Sequence, residues 1–164
     1  MFRKRGSCWL PSETQSALAQ YRIEQSRECL EDSKRSLRDG SFKTAANRSY
    51  YCIFHAMRAV LALDSFDSKK HSGIIAFFRQ RYIKTGIFQP ELSDMIQNAY
   101  RNRGKSDYED FFVISKEETT EQIENAKTFL AAVEAHIKAI LLKSMDSGKY
   151  ITTESVSDAR ATEL

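Results

Sequence analysis

Arg48, Tyr51, His55 and Arg58 recur at i, i+3, i+7 and i+10 in "SFKTAANRSYYCIFHAMRAVLAL", with Asn47 at the margin. At about 100° per residue of an α-helix they share an arc of about 100°. Two guanidiniums, a phenol and an imidazole on one face can hold an anion and exchange a proton. The rest of the segment is apolar on most of its circumference, and charges buried without partners are costly. The strip therefore faces a partner, a cleft or a subunit interface. Taken alone, His55 also fits a hydrogen-bonded core histidine.

A second constellation is "RNRGKSDYED", from Arg101 to Asp110. With Leu92 set at zero, Ile96, Ala99 and Arg103 fall within about 40° of it, and Arg101 lies on the opposite side. Arg103 thus extends a buried stripe, whereas Arg101 faces water. Two readings fit Arg103: a side chain snorkelling at the edge of the core, or one wall of a shaped anion site. Gly104 is expected to end the helix, which would leave Lys105, Asp107, Glu109 and Asp110 as loop charges around Tyr108.

A third group is Lys69, Lys70 and His71, immediately before an expected helix start. Free N–H groups at such an end suit a phosphate. From Ser68 to Lys105 there are eight Lys or Arg residues against Glu91 and Asp94, followed by an acidic stretch over 107–124. Solvated faces with internal pairing account for this pattern, as does phosphate binding.

Five helical segments must position these groups. The first opens at Ser12 and Gln15, a capping box, and runs to Arg38 before Gly40. The second covers 41–63 and belongs at the centre of a bundle. The third starts near Ser72 and stops at Gly86; the fourth starts at Pro90, a residue suited to the first helical turn. The fifth opens at a second capping box, Ser115 and Glu118, and carries Ile123, Ala126, Phe129, Leu130, Val133, Ile137, Ile140 and Leu141 on one face. Short links between long helices predict an all-α, up-and-down bundle of four to five helices over 11–144. A flexible segment is expected over 1–10 and a loose tail over 145–164.

Composition narrows the classes. The 164 residues suit one domain; 41% are hydrophobic and 29% charged, with only six glycines and two prolines. A formal charge of +3 does not by itself imply nucleic-acid binding. Cys8, Cys29 and Cys52 show no metal-ligand spacing and do not make a disulfide framework, so reduced thiols and no metal or other cofactor are expected. Neither a signal peptide nor a membrane span is read, which predicts a cytoplasmic protein.

"AANRSYYCIFHAMRAVL", "KKHSG" and "RNRGKSDYEDF", in this order and spacing, resemble the small bacterial and archaeal HEPN domains over about residues 20 to 140. The resemblance implies a helical bundle that dimerises. In many members two copies of an R-x(4–6)-H motif meet in a metal-independent ribonuclease site, used in toxin–antitoxin systems. Others bind nucleotides, or accompany a minimal nucleotidyltransferase as partner. In the ribonuclease chemistry the ribose 2′-OH attacks its own phosphate, with the histidine as acid or base and the arginine stabilising phosphoryl charge.

Here Arg103 plus four residues reaches Tyr108, and Arg101 plus six reaches the same tyrosine. A phenol with a pKa near 10 is a poor base, by roughly three units against histidine. Only Arg103 transfers from the motif. Three readings follow: a dimeric module binding nucleotide or RNA through Arg48, Tyr51, His55, Arg58, Lys69, Lys70 and His71; a ribonuclease using Arg103 with His55 or His71; or an acceptor of nucleotidyl transfer at Tyr108.

Overall fold

The structure, a computed structural model, describes residues 10–157, with side chains through Ser147. The chain forms α1 (Glu13–Arg38), α2 (Phe42–Ala62), α3 (His71–Phe78), α4 (Glu91–Tyr108) and α5 (Lys116–Ser157); α3 continues as a π-helical turn over Arg79–Ile83. The expected all-α bundle is what forms, and there is no strand among the described residues.

Helix α2 is the central element, packed against α1, α3, α4 and α5. Tyr50, Ile53, Met57, Val60 and Leu61 are fully buried within it. They meet Ala19 and Ile23 of α1, Phe78 of α3, Ile96 of α4 and Phe129 and Val133 of α5 in one core. Each large side chain buried in this way stabilises the fold by about 1.5–3 kcal/mol.

The helix starts follow local chemistry. Ser12 Oγ accepts the Gln15 N–H at 3.1 Å, and Gln15 Oε1 accepts the Ser12 N–H at 2.7 Å. Ser115 and Glu118 repeat the reciprocal box at the head of α5. Gly40 and Gly86 both take φ +74, the left-handed conformation that lets the chain leave a helix.

Two boundaries differ from the sequence reading. Helix α4 runs through Gly104 and ends at Tyr108, closed by the Glu109 N–H on Lys105 O at 2.9 Å. A helical glycine costs only about 1 kcal/mol, and the Arg103–Asp107 pair at i, i+4 spans it. The expected loose tail from 145 is helical backbone to Ser157. No proline interrupts it, and extending a formed helix is far easier than nucleating one. The segment 1–9 and residues 158–164 lie outside the described residues.

Cys29 and Cys52 are buried free thiols; Cys8 lies outside the described residues. Among the described residues no helix is long and apolar enough to cross a membrane.

Candidate functional site

Helix α2 is covered on all sides but one. Asn47, Arg48, Tyr51, His55 and Arg58 are half-buried, while their neighbours from Ser49 to Ala62 are buried. This seam is the expected strip. Two elements border it: the C-terminal half of α4, which brings Arg103, and the start of α3, which brings His71.

Arg103 is held by three side chains. Its guanidinium carbon lies 5.4 Å from the Tyr50 ring centroid and 6.0 Å from that of Tyr51, and Nη2 is 3.5 Å from Asp107 Oδ2. Its Nε is buried without a hydrogen-bond partner among the described residues. Burial works against its charge, but Tyr51, Tyr50 and Asp107 outweigh it and hold its pKa above the ordinary arginine value. Arg48 covers the Tyr51 ring at 5.1 Å. Tyr51 is therefore flanked by two cations, each within the range of a cation–π attraction.

The placement of Arg103 depends on a buried amide. Gln122 Nε2 donates to Ala46 O and to Ser49 Oγ, both at 2.7 Å, and its Oε1 accepts from Asn102 Nδ2 at 2.8 Å. One side chain of α5 thus fixes the end of α4 against the start of α2, one residue from Arg103.

Two imidazoles occupy the middle of the seam. His55 has a pKa pushed down to about 4 by burial, with Arg58, Arg22, Arg48 and His71 adding repulsion, so it is neutral at neutral pH. Its Nδ1 is buried without a partner among the described residues. His71 stacks on Phe54 at 4.1 Å, and its Nδ1 is 2.6 Å from Tyr50 Oη. Burial raises the Tyr50 pKa well above the usual phenol value, and burial with Arg103 and Arg58 lowers that of His71. Both groups are therefore neutral. The phenol is the stronger acid and donates, which assigns the His71 proton to Nε2.

Beyond His71 lies the α2–α3 corner, a cleft of about 490 Å³ lined by Phe54, Arg58, Asp67, Ser68, Lys69 and His71. Arg58 meets Asp67 through Nη2 at 2.7 Å and Nε at 3.3 Å. Arg22 of α1, 6% exposed, reaches the same carboxylate at 2.8 Å and donates to Arg58 O at 2.9 Å. Burial raises the pKa of Asp67, but hydrogen bonds from Arg58 and the Ser68 N–H and the two guanidinium charges outweigh it and lower it. Gly73 shapes the corner as well: a Cβ there would stand 2.5 Å from Ser68 Oγ.

The structure thus brings together Arg48, Tyr51, His55, Arg58, His71 and Arg103, with Lys69 at the cleft. Lys70 is exposed at the N-cap of α3. Tyr108 does not join them; it is 88% exposed and makes no hydrogen bond, ion pair or ring contact among the described residues. The continued helix explains this, since five residues place Tyr108 about 140° around the axis from Arg103. Among the described residues no group of three or more His, Cys, Asp or Glu side chains is placed to hold a metal ion.

Sequence reading missed Arg22, Tyr50, Phe54, Asp67 and Ser68. Arg22 was available, because it continues the stripe Ala19, Ile23, Ser26 and Leu30 just as Arg103 continues that of α4. Tyr50 and Phe54 read as core, and Asp67 and Ser68 lie in a link without periodicity.

Comparison with known proteins agrees with this architecture. Residues 19–136 match the HEPN domain. A UPF0332 protein of Thermotoga maritima is 31% identical over 121 residues, covering 74% of this chain and 92% of that one. A Methanocaldococcus jannaschii protein named as a candidate toxin is 30% identical over 133 residues, covering 81% of this chain and 88% of that one. The crystal structure of TT1696 from Thermus thermophilus superposes with a TM-score of 0.60 at 18% identity, over 71% of this chain and 96% of that one. An archaeal HEPN homologue does so with a TM-score of 0.52 at 19% identity, over 73% and 97%. A bundle with α2 at its centre, matched over most of its described length by that domain, places this chain in the HEPN domain family.

Proposed function

We propose that this chain is a dimeric RNA- and nucleotide-binding module of a toxin–antitoxin-like pair, working with a minimal nucleotidyltransferase. The observation that carries this reading is the seam on α2, where Arg48 and Arg103 flank the Tyr51 ring beside two neutral imidazoles. Guanidiniums attract the phosphate backbone, and the Arg48 guanidinium lying over the Tyr51 ring gives a base a planar surface to stack on. The candidate-toxin name belongs to a relative and supports the system only by kinship.

The test is binding of a short unstructured RNA, followed by fluorescence anisotropy, with light scattering for the assembly state. Wild type is expected to bind as a dimer, and Arg48→Ala with Arg103→Ala to lose most of the affinity. A monomer, or a double variant that binds like wild type, ends this reading.

A second reading is supported by the exposure of Tyr108. A phenol standing free on the last helical residue is open to a nucleotidyltransferase. Its oxygen would attack the α-phosphorus of a nucleoside triphosphate, release pyrophosphate and give its proton to the transferase or to solvent. The ribonuclease reading has less support, because Tyr108 stands where the motif has its histidine and does not join the seam.

A further inference from the structure

The α2–α3 corner has a lining that is one-sided in its hydrogen-bonding chemistry. Asp67 is the only carboxylate among the residues lining it, and its acceptor capacity is taken up within the fold. Oδ2 accepts from Arg22 and Arg58, and Oδ1 accepts from Arg58 Nε and the Ser68 N–H. A carboxylate has about four lone-pair sites, so Asp67 has none to spare. What remains is a set of donors. Arg58 is gripped by its Nε and Nη2, leaving the Nη1 edge free. Ser68 Oγ accepts the Lys70 N–H at 3.2 Å, which leaves its hydroxyl proton to give. Lys69 brings an ammonium, and His71 carries its proton on Nε2 because Tyr50 serves Nδ1.

Charge points the same way. Arg22, Arg58 and Lys69 stand against Asp67 alone, three cations to one anion, an excess of two positive charges. A phosphodiester carries one negative charge and two free oxygens. A terminal phosphate monoester carries close to two charges and three acceptor oxygens. Donor count and charge both fit the monoester better.

We propose that the corner cleft at Arg58, Ser68, Lys69 and His71 receives the terminal phosphate monoester of an RNA, the strand then running along the α2 seam over Tyr51. Arg22 and Asp67 are positioning residues: they touch no ligand and fix the plane of Arg58. This inference rests on the RNA-binding reading above and adds the kind of end that is recognised.

The test compares one RNA sequence carrying a 5′-phosphate, a 3′-phosphate or hydroxyls at both ends, by fluorescence anisotropy on the full chain. Inorganic phosphate serves as competitor. One phosphorylated end is expected to bind about tenfold tighter than the all-hydroxyl RNA. Arg58→Ala is expected to abolish that preference while the all-hydroxyl affinity changes less. Lys69→Ala, on an exposed side chain that leaves the Asp67 cluster intact, is expected to narrow the preference even if Arg58→Ala fails to fold. Equal binding of all three RNAs overturns the terminal-phosphate proposal and leaves the RNA reading standing. Equal binding with displacement by inorganic phosphate also overturns it, because the cleft then takes a small anion independent of the strand. If no RNA binds, the underlying reading falls and the proposal with it.

Discussion

Arg103 of α4 stands over the ring of Tyr50 of α2, with 5.4 Å between the guanidinium carbon and the ring centroid. The arginine of the sequence motif therefore faces a buried aromatic on the central helix, and not the tyrosine five residues after it. Arg103→Ala should weaken RNA binding about tenfold and lower the salt slope of the affinity by about one. Arg103→Lys should restore the slope without the full affinity, since an ammonium keeps the charge and loses the planar fork. Anisotropy titrations across a salt series separate the two.

His55 makes stability depend on pH with a defined sign. Its folded-state pKa of about 4 lies below the unfolded value near 6.5, so the unfolded chain binds the proton more readily. Stability is fully present above about pH 6.5 and is lost as the pH falls towards about 4. Between about pH 7.5 and about pH 5 the loss should be about 2 kcal/mol at most, because the ring is only half-buried. Urea denaturation at both pH values measures it, and His55→Gln should flatten the difference. An equally steep loss in that variant would move the effect to His71.

Gln122→Ala should destabilise the bundle by about 1–3 kcal/mol, because Asn102 and the α2 groups at Ala46 and Ser49 lose a common partner inside the protein. Chemical denaturation reads the cost. RNA affinity of the folded fraction should also drop, since Asn102 adjoins Arg103. An unchanged affinity would mean that α4 holds its end without the amide.

Gly73→Ala drives a methyl group onto Ser68 and should destabilise the protein more than Ser68→Gly does. The double variant should cost less than the sum of the two, a coupling that a double-mutant cycle detects. Strict additivity would show that the two residues do not press on each other.

For Tyr108, intact-mass measurement after co-expression with a nucleotidyltransferase should show one added nucleotidyl group, absent in Tyr108→Phe. An unshifted wild-type mass removes the acceptor reading.

The bundle was legible because long segments with few glycines and prolines repeat their apolar residues at helical spacing, and because both capping boxes are strictly local. The seam was legible for a similar reason: Arg48, Tyr51, His55 and Arg58 interrupt an apolar helix at regular intervals. The relation of Arg103 to Tyr108 was not, because it turned on whether Gly104 ends a helix, and the Arg103–Asp107 pair and the closing Lys105 carbonyl decide that locally against intuition. The Arg22–Asp67–Arg58 cluster joins residues far apart in sequence, and periodicity within one helix carries no record of such a meeting.

Asp67 shared between two guanidiniums has a practical consequence at the bench. A corner that the fold leaves positively charged draws its balance from the dissolved salt, so the choice of buffer is never neutral for this molecule. Samples in phosphate or sulfate should melt at a higher temperature than samples at equal ionic strength in chloride, and that increment should shrink when Arg58 is removed.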